Sequence, residues 1–199
     1  MARLDKKFFQ QKTEHVASQL LGKILVRKLG QRTLSGMIVE TEAYAGPHDL
    51  ASHAAKGKTK RTSVMFAEAG LWYVYSIYGF YHCLNIITER KDYPSAVLIR
   101  SLVPLEGIKY MEQSRKIDSL INLANGPGKL CQALKIDKAL NNTSAVLKNS
   151  ILFIENRGIK IAAQNIIKAA RVGVDYAGVW KNKPLRFYVK DNKFVSNKI

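Results

Sequence analysis

Gly36-Met37-Ile38-Val39-Glu40-Thr41-Glu42-Ala43-Tyr44-Ala45-Gly46-Pro47-His48-Asp49-Leu50-Ala51-Ser52-His53 is the stretch on which the reading of this chain turns. Val39 and Thr41 are β-branched, and residue types alternate through positions 37–40, so the run predicts a strand. Side chains two apart share a strand face, which lines up Glu40, Glu42 and Tyr44 on one side. Gly46-Pro47 stops the strand and opens a loop carrying His48 and His53. An acidic pair and an aromatic ring at a strand end, feeding a loop with two histidines, mark a candidate site.

A second stretch belongs with it: Trp72-Tyr73-Val74-Tyr75-Ser76-Ile77-Tyr78-Gly79-Phe80-Tyr81-His82-Cys83-Leu84-Asn85. Two β-rich runs flank Tyr78-Gly79, and Gly79 supplies the backbone freedom of a tight hairpin turn. Tyr78 therefore stands at the hairpin tip, where a large ring is hard to bury. Aromatic stripes are more often core than site, and Tyr73 and Tyr81 read as core; Tyr78 does not.

Working outward, 199 residues that are 47% hydrophobic suit one domain with a full core, spanning 1–199. Lys and Arg number 32 against 15 acids, a formal charge of +17. That excess points to a polyanion, nucleic acid first and an anionic membrane surface second. Cys83 and Cys131 lie in apolar settings without CxxC spacing, so they read as reduced core thiols rather than a disulfide or zinc site. No apolar run approaches the roughly 20 residues of a membrane span. No signal-like core follows the N-terminus, so the expected location is the cytoplasm, at the nucleoid if the source is prokaryotic.

Along the chain, Thr13 reads as a helix cap before the stripe Val16, Leu20 and Leu21. Residues 23–29 form a strand that turns at Gly30-Gln31-Arg32 into the strand bearing Glu40 and Glu42. Residues 54–63 are a loop in which Lys56, Lys58, Lys60 and Arg61 surround Gly57. Such a run is a solvated face or, between the two site stretches, a phosphate contact. Residues 96–102 are a strand whose apolar flanks make Arg100 paired or functional. Pro104-Leu105-Glu106-Gly107 opens a helix to about residue 116. Residues 125–129 turn into a helix at 130–134, 151–155 is a strand, 169–178 a loop, and 185–189 the last strand. Hairpins with scattered helices argue an α+β fold.

A carboxylate that activates water must sit beside its target, and Glu42 is the candidate. Glu40 and Glu42 together would also suit a sugar or phosphate hydrolase. His48, Asp49 and His53 lack a recognisable metal-ligand spacing, and the His-x-Glu…Pro-Cys-x-x-Cys pattern of zinc deaminases is absent. An enzyme acting on a base inside duplex DNA must take it out of the stack. It needs a wedge, an aromatic pocket, cations for the backbone and an acid–base group. Tyr78 suits the wedge, Tyr44, His53 and Tyr75 the walls, and Glu42 the base.

Several runs, in order, cover nearly the whole chain: Val39-Glu40-Thr41-Glu42-Ala43-Tyr44 with Gly46-Pro47 and His53; Tyr73-Val74-Tyr75-Ser76-Ile77-Tyr78-Gly79 with Cys83-Leu84-Asn85; Leu98-Ile99-Arg100; Pro104-Leu105-Glu106-Gly107; Gly126-Pro127 with Lys129-Leu130-Cys131-Gln132-Ala133-Leu134; Arg171-Val172-Gly173-Val174-Asp175-Tyr176-Ala177-Gly178; and Pro184-Leu185-Arg186-Phe187-Tyr188-Val189. On these the chain resembles the alkyladenine DNA glycosylases, also called 3-methyladenine DNA glycosylases of the mammalian methylpurine type.

The resemblance implies a monofunctional glycosylase that cuts the bond between deoxyribose and a damaged purine, needing no metal or cofactor. It implies that Glu42 orients and deprotonates the water and that Arg100 helps to hold it. Tyr44, His53 and Tyr75 line the base pocket, Tyr78 inserts into the duplex, and Asn85 crowds the 2-amino group of guanine. It also implies one α+β domain on a curved, mainly antiparallel sheet, with a hairpin projecting into DNA. The expected partner is double-stranded DNA containing damaged purines, met by a monomer with no membrane involved. In Arg61-Thr62-Ser63-Val64-Met65-Phe66, Thr62 replaces the family's usual Asn, which predicts an altered loop. The rival readings are a non-catalytic damaged-DNA binder and a sugar or phosphate hydrolase.

Overall fold

Residues 32–44 form one strand of 13 residues, and the rest of the sheet is arranged around it. The computed structural model describes residues 2–196. In chain order the elements are β1 (Ala2–Arg3), α1 (Lys6–Phe9), α2 (Thr13–Gln19), β2 (Ile24–Leu29), β3 (Arg32–Tyr44), β4 (Trp72–Ile77), β5 (Tyr81–Ile87), β6 (Ala96–Glu106), α3 (Ile108–Arg115), α4 (Pro127–Ala133), β7 (Leu152–Asn156), β8 (Ile166–Ala169) and β9 (Arg186–Val189). The strands make one antiparallel sheet in the order β1-β7-β2-β3-β6-β5-β4, with β9 pairing both β3 and β8. This is the α+β architecture expected, a mainly antiparallel sheet with few helices.

One edge of β3 is shared. β2 pairs with it as far as Met37, and β9 takes over from Glu40 to Glu42. β6 runs along the other edge. Its register pairs Ile38 with Leu102, Glu40 with Ser101 and Thr41 with Ile99, so Val39 on β3 and Arg100 on β6 are both skipped. A one-residue slip would move every later side chain to the opposite face. Two opposed bulges cancel around the Glu40–Ser101 pair, and a further shift between Ser35 and Gly36 skips Leu105. Bulges re-aim side chains, and these lie at the candidate site.

The main core lies under α2, α4 and the sheet, with Phe9, Leu20, Leu25, Leu34, Ile38, Trp72, Leu84, Ile99 and Leu130 fully buried. Each such side chain stabilises the fold by about 1.5–3 kcal/mol. Trp72 satisfies its indole by donating Nε1–H to the Leu152 carbonyl at 3.0 Å. A smaller cluster of Ala54, Val64, Met65, Tyr73, Ile87 and Ala96 lies beneath the basic loop. Cys83 and Cys131 are buried free thiols. No helix among the described residues is long and apolar enough to cross a membrane.

Several local expectations need correction. Residues 104–106 continue β6, and α3 starts only at Ile108. β5 pairs β6 only as far as Leu98 and residues 124–125 bond that edge only at Ser101 and Leu102, so no ladder pair on that edge conflicts with Pro104. Gly107, at φ 76°, makes the turn; a Cβ there would stand 3.0 Å from the Thr33 carbonyl. Thr13 is the first helical residue, not the cap. Its N–H donates to Glu89 Oε1 at 3.2 Å, so an acid from a distant segment serves the helix N-terminus. α4 begins at Pro127, whose missing N–H costs nothing at a first helical position. Within the expected loop, His53–Lys56 is a 3-10 turn, with the Ser52 side chain accepting from Ala54 N–H. Lys6–Phe9 is a short helix, Asp175–Asn182 is 3-10, and β1 and β8 are strands the sequence reading did not expect.

Candidate active site

At the end of β3 two carboxylates meet one arginine. Arg100 donates from Nε to Glu40 Oε1 at 2.9 Å, and its Nη1 lies 3.3 Å from Glu42 Oε1. Both acids have no exposed surface, and Arg100 is 6% exposed. Glu40 also accepts from Ser101 Oγ (2.9 Å), Arg186 Nε (2.7 Å) and Ser196 N–H (2.8 Å). Burial opposes its charge, but Arg100, Ser196 and Arg186 outweigh burial and hold its pKa below the ordinary value. For Arg100, burial is likewise more than offset by Glu42 and Glu40, and its pKa lies above the ordinary value.

Glu42 lies two residues further along β3 and is equally buried. Tyr44 donates its hydroxyl to Oε2 at 2.9 Å, and the Val172 backbone N–H donates to Oε1 at 2.8 Å. The alternation of β3 thus puts Glu40, Glu42 and Tyr44 in one network. Burial, then the Glu42 charge, pushes the Tyr44 phenol well above its ordinary pKa, so it stays a donor. The Val172 loop is fastened by Arg171, which grips Asp49 with both terminal nitrogens at 2.5 and 2.8 Å and lies 4.7 Å over the Tyr44 ring. Asp49 is therefore an ion-pair partner and not a free ligand.

Beside this network opens a cavity of about 300 Å³, at the small end of ligand pockets. Tyr44, His53, Arg61, Tyr75, Tyr78, Asn85 and Arg100 all line it. Glu42 does not; it meets the cavity through Arg100 and Tyr44. The His53 and Tyr75 rings pack edge to face with centroids 4.5 Å apart, and His53 Nδ1 is 3.1 Å from the Tyr73 hydroxyl. Burial and nearby Arg61 bring His53 down to about 4, so the ring is neutral at physiological pH. Asn85 is buried and donates Nδ2–H to the Tyr73 carbonyl at 3.1 Å. Cys83 lines the wall as a thiol that burial pushes up to about 11. Tyr73 is core, as expected, but also lines the cavity; Tyr81 is only half-buried.

The hairpin ends in a three-residue loop, since Ile77 pairs with Tyr81. Tyr78 itself takes φ 52° and Gly79 φ 79°. A bulky residue in the left-handed region is strained. Tyr78 is 83% exposed, and its neighbour Phe80 is 65% exposed. Lys56, Lys58, Lys60 and Arg61 are all exposed. Arg61 reaches over the Tyr75 ring at 5.3 Å, whereas Lys56, Lys58 and Lys60 stay outside the cavity. Lys60 and Arg61 line a second groove with Ser76, Lys138 and Asn141. Thr62 is buried and holds the loop: Oγ1 accepts from Thr59 N–H at 2.8 Å and donates to the Gly57 carbonyl at 3.1 Å.

The sequence alone assigned no role to the Val172 N–H, the Arg171–Asp49 pair, Ser101, Ser196 or Arg186. Arg186 carried the signal that marked Arg100, a cation flanked by Leu185 and Phe187. A backbone amide such as Val172 carries no side-chain signal.

Comparison with known proteins gives first the class and then the family. A candidate 3-methyladenine DNA glycosylase of Clostridium perfringens is 47% identical over 205 residues, covering 98% of this chain and 100% of the relative. Similarly named proteins of Methanocella arvoryzae and Natranaerobius thermophilus are 45% and 44% identical, covering 100% and 98% of this chain and 98% of each relative. These relatives set the chain among enzymes that hydrolyse N-glycosyl bonds in DNA. The sequence model of methylpurine-DNA glycosylase (MPG) matches residues 7–193, and the chain belongs to that family.

Proposed function

We propose that this protein excises alkylated purines, 3-methyladenine among them, from double-stranded DNA after rotating the damaged nucleotide into the cavity. The observation that carries the reading is that Arg100 both lines the cavity and stands 3.3 Å from Glu42. A water bonded to both groups from the cavity side is aimed at the sugar. Its oxygen bonds to C1′, its proton passes to Glu42, and the C1′–N bond breaks with its electron pair leaving on the base. An N-alkylated purine already carries positive charge, so that pair neutralises it and the base departs readily. The Glu42 carboxylate also faces the cationic sugar of the transition state.

Selection is by shape. The ring pocket of Tyr44, His53 and Tyr75 accepts a flat base, and Asn85 crowds a 2-amino group. Tyr78 fills the vacancy in the duplex, and Lys56, Lys58, Lys60 and Arg61 meet phosphates. The enzyme works as a monomer, in the cytoplasm or at a nucleoid, and extends to hypoxanthine or ethenoadenine where the cavity admits them. The test is to incubate the protein with duplexes carrying 3-methyladenine or hypoxanthine and look for abasic sites. Sites formed only at the lesion support the reading. Tight lesion binding with no release would make the protein a non-catalytic binder instead.

A further inference from the structure

We propose that Glu40, together with Ser196, is the positioning device for Arg100, turning its guanidinium so that Nη1 alone faces Glu42. The proposal rests on the roles given to Arg100 and Glu42 above.

Each guanidinium nitrogen has one partner. Nε donates to Glu40 Oε1 at 2.9 Å, Nη2 donates to Ser196 Oγ at 3.1 Å, and Nη1 lies 3.3 Å from Glu42. Two nitrogens are thus held by Glu40 and Ser196, and the third faces Glu42. Ser196 also donates its N–H to Glu40 Oε2 at 2.8 Å, so the two holders brace one another. Glu40 is wholly buried and does not line the cavity, so it acts on substrate only through Arg100.

The fold explains why a holder is needed. Arg100 is the bulge residue of β6 and has no register partner on β3. An arginine beside one carboxylate tends to close on it through two parallel hydrogen bonds. On Glu42 that would occupy the oxygens that must receive water. Glu40 competes for the guanidinium and keeps it turned. Of two acids on one strand face, one serves the reaction and the other holds the arginine off it.

The test is single-turnover release from a 3-methyladenine duplex by the wild type, Glu40→Gln, Arg100→Gln and the double variant. Glu40→Gln should slow release by about 10²-fold, the scale of a misplaced catalytic group. Duplex affinity should hold. In the Arg100→Gln background Glu40→Gln should cost nothing further, since the two act as one unit. Unchanged release in Glu40→Gln, or equal losses in both backgrounds, overturns the proposal. If Glu40→Gln does not fold, Ser196→Ala decides: a loss of about fivefold, one hydrogen bond's worth, that vanishes without Arg100 supports it. An unchanged rate there overturns it. A wild type that releases no base overturns the glycosylase reading as well.

Discussion

Arg100 meets Glu42 at 3.3 Å from a position on β6 that has no register partner on β3. The contact depends on two bulges that cancel, one at Val39 and one at Arg100. The ion network is therefore a product of sheet register rather than of loop placement, and its members should be costly to remove.

Arg100→Met should cost about 3 kcal/mol or more of stability, because it leaves a buried carboxylate short of a partner. Urea unfolding measures this through the midpoint shift at constant slope. A loss below about 1 kcal/mol would mean that Glu40 is satisfied without Arg100.

Asp49→Asn breaks the grip on Arg171, which is buried on all sides of its side chain. The expected destabilisation is about 3–5 kcal/mol. Release should slow as well, since the loop bearing the Val172 N–H is then free to leave Glu42. Full activity in a destabilised Asp49→Asn protein would separate that loop from the chemistry.

Tyr78→Ser removes an exposed ring and relieves a strained backbone at φ 52° only in part. Stability should hold, while affinity for a lesion duplex falls about tenfold or more, the worth of one stacked ring. Fluorescence anisotropy reads the difference. Equal affinity would remove the wedge role.

His53 should make the fold acid-sensitive. The unfolded ring takes up a proton near its ordinary pKa of 6.5, the folded ring only near 4. Between those values the unfolded chain binds more protons, so stability falls as pH drops through the window and is flat above it. The loss should be about 1–2 kcal/mol once solvent screening at the open cavity is allowed for. His53→Gln should remove that part of the pH dependence; an unchanged curve would place its cause elsewhere.

Salt should weaken duplex binding steeply, with log affinity falling about 0.9 per log salt for each phosphate met. Replacing Lys56, Lys58 and Lys60 by Ala together should flatten that slope by about 0.9 for each phosphate no longer met. A slope equal to the wild type's would make the loop an ordinary solvated face.

The parts legible in the sequence were those with local signals. β-branched alternation gave β3, the Tyr78-Gly79 punctuation gave the hairpin, and apolar flanks gave Arg100. What escaped depends on distance. Arg171 and Asp49 lie 122 residues apart, and Val172 reaches Glu42 across 130. Such pairs exist only once the chain has folded. The helix expected at Pro104 failed for a related reason: pairing with β3 carried β6 through residues that punctuate most chains. The hairpin turns where Tyr78-Gly79 marked it, with Phe80 as the third loop residue.

The central claim is that Glu42 acts on water while the cavity holds the purine. Glu42→Gln keeps the size of the side chain and an oxygen acceptor, so the lesion duplex should bind with wild-type affinity. Single-turnover release should fall by about 10²–10⁴-fold, the share of a general base. Release that persists at the wild-type rate in Glu42→Gln, with binding intact, would contradict the account.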